Sequence, residues 1–81
     1  MNEEQFPIYR ISANGAHVYR IDSWDRFTEL QRIGKRWVLH EVEATMFPEK
    51  LRIRDMVDCA DGAFVPSTSA VWAAAQAAVH P

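Results

Sequence analysis

The chain alternates between short β-patterned runs and stretches of helical period, with Gly, Asn and Pro marking the reversals. Ile8-Tyr9-Arg10-Ile11-Ser12 returns as Val18-Tyr19-Arg20-Ile21-Asp22, and Asn14-Gly15 lies midway between the copies. Two β-prone runs separated by Asn-Gly predict a hairpin. A two-residue loop, with Asn14 and Gly15 both at positive φ, sets Ile11 opposite Val18, Arg10 opposite Tyr19, Tyr9 opposite Arg20 and Ile8 opposite Ile21. One face of the pair then carries Tyr9, Ile11, Val18 and Arg20, and the other carries Ile8, Arg10, Tyr19 and Ile21. Each face holds apolar residues and one Tyr/Arg neighbour pair.

Residues 24–33 admit two readings. Trp24, Phe27, Leu30 and Ile33 recur every third position, behind Ser23 as a good N-cap and ahead of Gly34, which favours a helix. The rival is a third strand over 27–33 with Gly34-Lys35 as a second hairpin turn, although Leu30 breaks its alternation. Residues 36–43 are rich in β-formers and predict a strand. Val38, His40, Val42 and Ala44 fall on one of its faces; Trp37, Leu39, Glu41 and Glu43 fall on the other. Pro48 then opens a helix at its first position, and Ile53, Met56, Val57 and Ala60 follow the i, i+3, i+4, i+7 spacing until Gly62 stops it. After an apolar connector (63–66), Ser67-Thr68-Ser69 offers three N-caps for an alanine-rich helix reaching His80.

These elements predict an α+β domain: a small antiparallel sheet built on the N-terminal hairpin and packed against two or three helices on one face. The expected divisions are a disordered tail at 1–5, an α+β core at 6–62, the connector, and the terminal helix at 67–80. The expected core is Ile8, Ile11, Val18, Ile21, Phe27, Leu30, Ile33, Leu39, Val42, Ile53, Met56 and Val57.

Eighty-one residues leave room for one hydrophobic core. Nine Lys and Arg against eleven Asp and Glu give a formal charge of −2, which favours no class of charged partner. Cys59 is the one cysteine, so no internal disulfide forms and a reducing compartment is expected. The acidic start lacks a signal-peptide pattern, and no run reaches the roughly 18–20 apolar residues of a membrane span. A cytoplasmic protein without a membrane partner is the expectation.

Candidate chemistry is sparse. His17, His40 and His80 show no metal-ligand spacing. His40, between Val38 and Val42, reads as a half-buried, hydrogen-bonded imidazole. Cys59 lies near a helix C-terminus, where a thiolate is not favoured. Asp55, Asp58 and Asp61 read as a solvated acidic strip on a helix. No Gly-rich phosphate loop or nucleophile–base arrangement stands out, so no catalytic, metal or cofactor-binding residue is assigned and no enzyme is expected.

The expected function is a non-enzymatic protein–protein interaction module, self-associating through the terminal helix or the hairpin edge. The nearly apolar terminal helix carries that reading, because alanines let another backbone approach closely. Tyr9, Arg20, Arg36, Trp37, Val71 and Trp72 form the candidate interaction surface. The alternative is a nucleic-acid-binding accessory factor using the Arg/aromatic stretch 9–37, through stacking and phosphate contacts. An enzyme built on His40 and Cys59 is a third option with less behind it.

Overall fold

A computed structural model describes residues 5–79. Five strands, β1 (Ile8–Ser12), β2 (His17–Ser23), β3 (Arg26–Ile33), β4 (Arg36–Glu43) and β5 (Phe64–Pro66), form one sheet. Two α-helices, α1 (Phe47–Val57) and α2 (Ser69–Ala77), flank β5 in the chain. The sheet order is β4-β3-β2-β1-β5, with each neighbouring pair antiparallel. The protein is therefore α+β. Met1–Glu4 of the expected tail, and His80 of the expected terminal helix, lie outside the described residues.

The β1–β2 register is the expected one: Ile8 faces Ile21, Tyr9 faces Arg20, Arg10 faces Tyr19 and Ile11 faces Val18. The loop differs. Gly15 has φ +75°, but Asn14 is not in the left-handed region. The Gly15 N–H donates to Ser12 O at 2.9 Å, closing a turn one residue earlier than a two-residue loop would. The Asn14 carboxamide oxygen accepts from Ser12 Oγ and from Ala16 N, so its side chain braces the loop.

Residues 26–33 form a strand, overturning the helical reading. The three-residue spacing arises because β3 lies inside the sheet with both faces covered. Phe27 (2% exposed) points to one side and Leu30 (0%) to the other, so strict alternation is lost. The Gly34-Lys35 turn follows, with Gly34 at φ +63° and Ile33 paired to Arg36.

Helices cover both faces, not one. On the first face, α1 buries Ile53, Met56 and Val57 against Tyr19, Ile21, Phe27 and Ala44. On the second, α2 buries Trp72 and Ala75 against Val18 and Leu30, with Tyr9, Ile11 and Trp37 packed around them. Tyr19, Ala44, Trp72 and Ala75 thus join the core, whereas Ile33 (56% exposed) and Leu39 (39%) do not. Ile33 sits beside the β3–β4 turn, and Leu39 lies on the edge strand.

Helix α1 starts with Pro48 at its second position, and the Met46 N–H donates to the Glu49 carboxylate at 3.1 Å. It ends at Val57, short of Gly62. Asp58 is the C-cap and Cys59 follows at φ +53°, which turns the chain out of the helix. A short 3₁₀ turn (Ala60–Gly62) comes next, so Asp55, Asp58 and Asp61 do not share one helix. The orphan carbonyls at the α1 terminus are met from the sheet. Arg10 donates through Nε to Met56 O at 3.0 Å and through its guanidinium to Val57 O at 2.8 Å.

The stretch read as a connector contains β5, which pairs with β1 through Phe64, Val65 and Pro66. Thr68 then caps α2, its Oγ1 accepting the Val71 N–H at 3.2 Å. Helix α2 ends at Ala77, and Val79 reaches the opposite edge to bridge Trp37 on β4.

Tyr19 lies in the core beside Phe27 and Phe64, both ring contacts edge-on. Burial first, and then the nearby Glu29 carboxylate, pushes its phenol above the ordinary value of 10.0; Arg52 acts in the opposite sense. Because the folded-state value is raised, the unfolded chain releases this proton first. The contribution is full below about pH 10 and is lost as pH rises further. We expect unfolding free energy to decline above pH 10, and Tyr19→Phe to flatten that decline in denaturant titrations.

Candidate interaction surface

The six residues expected to form an interaction surface do not all lie together. Five gather on the α2 side of the sheet. Tyr9 packs against Trp72 with ring centroids 6.5 Å apart, and the Arg20 guanidinium lies over the same indole at 5.2 Å. Trp37 and Val71 line a groove nearby. Arg36 alternates with Trp37 along β4 and so belongs to the other face, exposed at the sheet end. Trp72 is a correction of a different kind. At 3% exposed it is the apolar anchor that seats α2, not surface. The indole was misread because the alanine-rich helix has one large face to bury, and Trp72 is that face.

The groove encloses about 330 Å³ between α2 and the β1–β2 hairpin. Its walls are Ile11, Val18, Trp37, Val71, Ala74 and Ala75, and Gly15 closes one end. The small side chains of Ala74 and Ala75 leave the space open, while Trp37 and Val71 (41% exposed) form its sides. A volume of this size, apolar and open, suits one or two aliphatic or aromatic side chains of another molecule. Ala74 and Ala75 thus leave apolar space beside the helix.

A second cleft, of about 620 Å³, lies at the far end of the sheet among Ser23, Asp25, Arg26, Glu43, Thr45 and Lys50. Its charges are matched internally: Arg26 bonds Glu43, and Lys50 lies 3.6 Å from Asp25. These side chains are more than half exposed, so the pairs are weak and solvated. Among the described residues, no hydroxyl of the cleft hydrogen-bonds a carboxylate; Ser23 Oγ accepts the Asp25 N–H at 3.1 Å.

The imidazole of His17 meets Glu29 (Nδ1···Oε2 2.5 Å) and stacks beside Tyr19 at 6.2 Å between centroids. Register pairing of β2 with β3 places this contact, which sequence reading missed because its partners are twelve residues apart. His40 is exposed, not half-buried, because β4 is an edge strand that α1 does not cover at that point. His40 and Cys59 line neither cavity. Among the described residues no group of three or more His, Cys, Asp or Glu could hold a metal ion, and no helix is long and apolar enough to cross a membrane.

A further exposed set lies on α1. Met46 (65% exposed), Phe47 (75%) and Leu51 form a stripe on the solvent side, continued by Arg54, which stacks over Trp24 at 5.0 Å.

Compared with known proteins, the chain matches no family model, and no curated protein or solved structure is found to be similar to it.

Proposed function

We propose that this protein is a non-enzymatic interaction module that binds another protein by accepting apolar side chains into the groove between α2 and the β1–β2 hairpin. The observation that carries this reading is the groove itself: about 330 Å³ of apolar space held open by Ala74 and Ala75. Burying a leucine- or phenylalanine-sized anchor there is worth about 1.5–3 kcal/mol before other contacts are counted.

The nucleic-acid alternative has less support. Arg10 is committed to the α1 carbonyls, Arg20 to Asp22 and the Trp72 ring, and Arg26 to Glu43. Tyr19 is buried, so it offers no stacking platform.

Peptides selected from a random display library on the wild-type domain provide the test. They are expected to lose at least about tenfold in affinity, ~1.4 kcal/mol, on Ala74→Leu, which fills the groove from its wall. Val71→Asp, which places a charge at the rim, is expected to do the same. Peptides that bind both variants as well as the wild type would overturn the proposal, provided thermal melts show both variants folded.

A further inference from the structure

Resting on that reading, we infer that the segment entering the groove is acidic as well as apolar: a short peptide stretch whose bulky anchor side chains are flanked by Asp or Glu. The argument is one of charge placement. The chain as a whole is acidic, at −2, yet the segments around the groove contain no carboxylate side chain. None occurs in β1, in residues 13–18, in residues 30–37 or in α2; Asp22 of β2 and Glu41 and Glu43 of β4 lie toward the far ends of their strands. The exposed cations at the groove end are Arg32 and, in the turn, Lys35; Arg36 lies on the opposite face. Arg32 lies opposite Trp37 in the β3–β4 register and shares its face. Its backbone N–H donates to Ala16 O at 2.8 Å, beside the Gly15 that closes the groove. Lys35 lies in the turn that leads to Trp37.

Among the described residues, the acidic side chains that form ion pairs are Glu29, Asp22, Glu43 and Asp25, and none pairs with these two cations. Arg20, Arg26 and Lys50, by contrast, are each matched within the fold. An apolar slot with an unmatched cationic rim selects a partner of the complementary pattern. The apolar anchor supplies affinity, and the carboxylates supply orientation and a faster encounter. The apolar walls favour a peptide over a nucleic acid, since Ile11, Val18, Val71 and the alanines offer nothing to a phosphate or a base edge.

Three synthetic peptides of about twelve residues test this. Each carries the same central Leu and Phe anchors, flanked by Asp/Glu, by Ser/Gln, or by Lys. At low salt the acidic peptide is expected to bind at least about tenfold more tightly than the neutral one, with the basic peptide weakest. The preference is expected to shrink at roughly 0.5 M salt and in the Arg32→Gln/Lys35→Gln double variant, whose affinity for the neutral peptide stays near wild type. Equal binding of acidic and neutral peptides, both sensitive to Ala74→Leu, would overturn the charge inference and leave the groove reading standing. Binding of any peptide that ignores Ala74→Leu would overturn both, as would failure of all three to bind. A single-stranded oligonucleotide that binds with a steep salt dependence, and displaces no peptide, would also overturn it and restore the nucleic-acid reading.

Discussion

Phe27→Ala is expected to cost about 3–5 kcal/mol of folding free energy. The ring is 2% exposed and lies at the centre of the face that α1 covers, edge-on to Tyr19 and under the Arg52 guanidinium at 5.8 Å. Truncation removes its own buried area and opens a void between β3 and α1 that neighbours on a paired strand cannot collapse to fill. A domain of this length has about 5–10 kcal/mol in total, so the alanine variant keeps little margin. Phe27→Leu, which conserves most of the volume, is expected to lose less than about 1.5 kcal/mol and gives a graded comparison in urea titrations. A loss below 1 kcal/mol for the alanine variant would contradict the packing described for this face.

The second large effect is expected at Trp72. Trp72→Ala removes the one bulky side chain by which α2 is seated on Val18 and Leu30, together with its contacts to Tyr9 and Arg20. About 3–5 kcal/mol is expected, of which the cation–π contact accounts for about 0.5–1. Among the described residues the buried indole Nε1 has no acceptor, a cost in the wild type of about 1–3 kcal/mol. Trp72→Phe deletes that N–H along with part of the ring, so its net loss is expected to stay below about 1.5 kcal/mol. Amide hydrogen exchange would separate the two faces: in Trp72→Ala the α2 amides are expected to lose protection well before those of α1. Uniform loss across both helices would show that the two faces unfold as one unit.

Much of the sheet could be read from residue order. The β1–β2 register followed from Asn14-Gly15 even though Asn14 does not take the positive φ assumed for it, because pairing is fixed by which residues alternate and not by the details of the loop. Strand β4 was legible for the same reason. The two largest misreadings, a helix at 24–33 and helices on one face alone, share one physical cause, burial on both sides. The hairpin already showed apolar residues on each face, with Ile8 and Ile21 on one and Ile11 and Val18 on the other. A sheet covered twice needs that pattern, and β3 extends it with Phe27 and Leu30 pointing opposite ways. Read as one helical stripe, the same residues gave the wrong element.

The groove was only partly legible. Trp37 and Val71 were among the candidates, but Ala74, Ala75 and Gly15 matter through what they leave empty, and absent side chains give no signal in a sequence. Arg32 was not singled out, because its significance depends on which carboxylates lie far away, a property of the fold alone. Arg10 had no special standing in the sequence, because its partners are the carbonyls of residues forty-six and forty-seven positions later.

The two sides of the sheet are unequal in a way that limits assembly. Strand β5 has three residues and ends in Pro66, which has no N–H to offer a neighbour. Strand β4 has eight, with Val79 laid along it at Trp37. Both margins are thus blunted, one by its shortness and missing donor and the other by the Val79 bridge, which works against open-ended stacking of sheets.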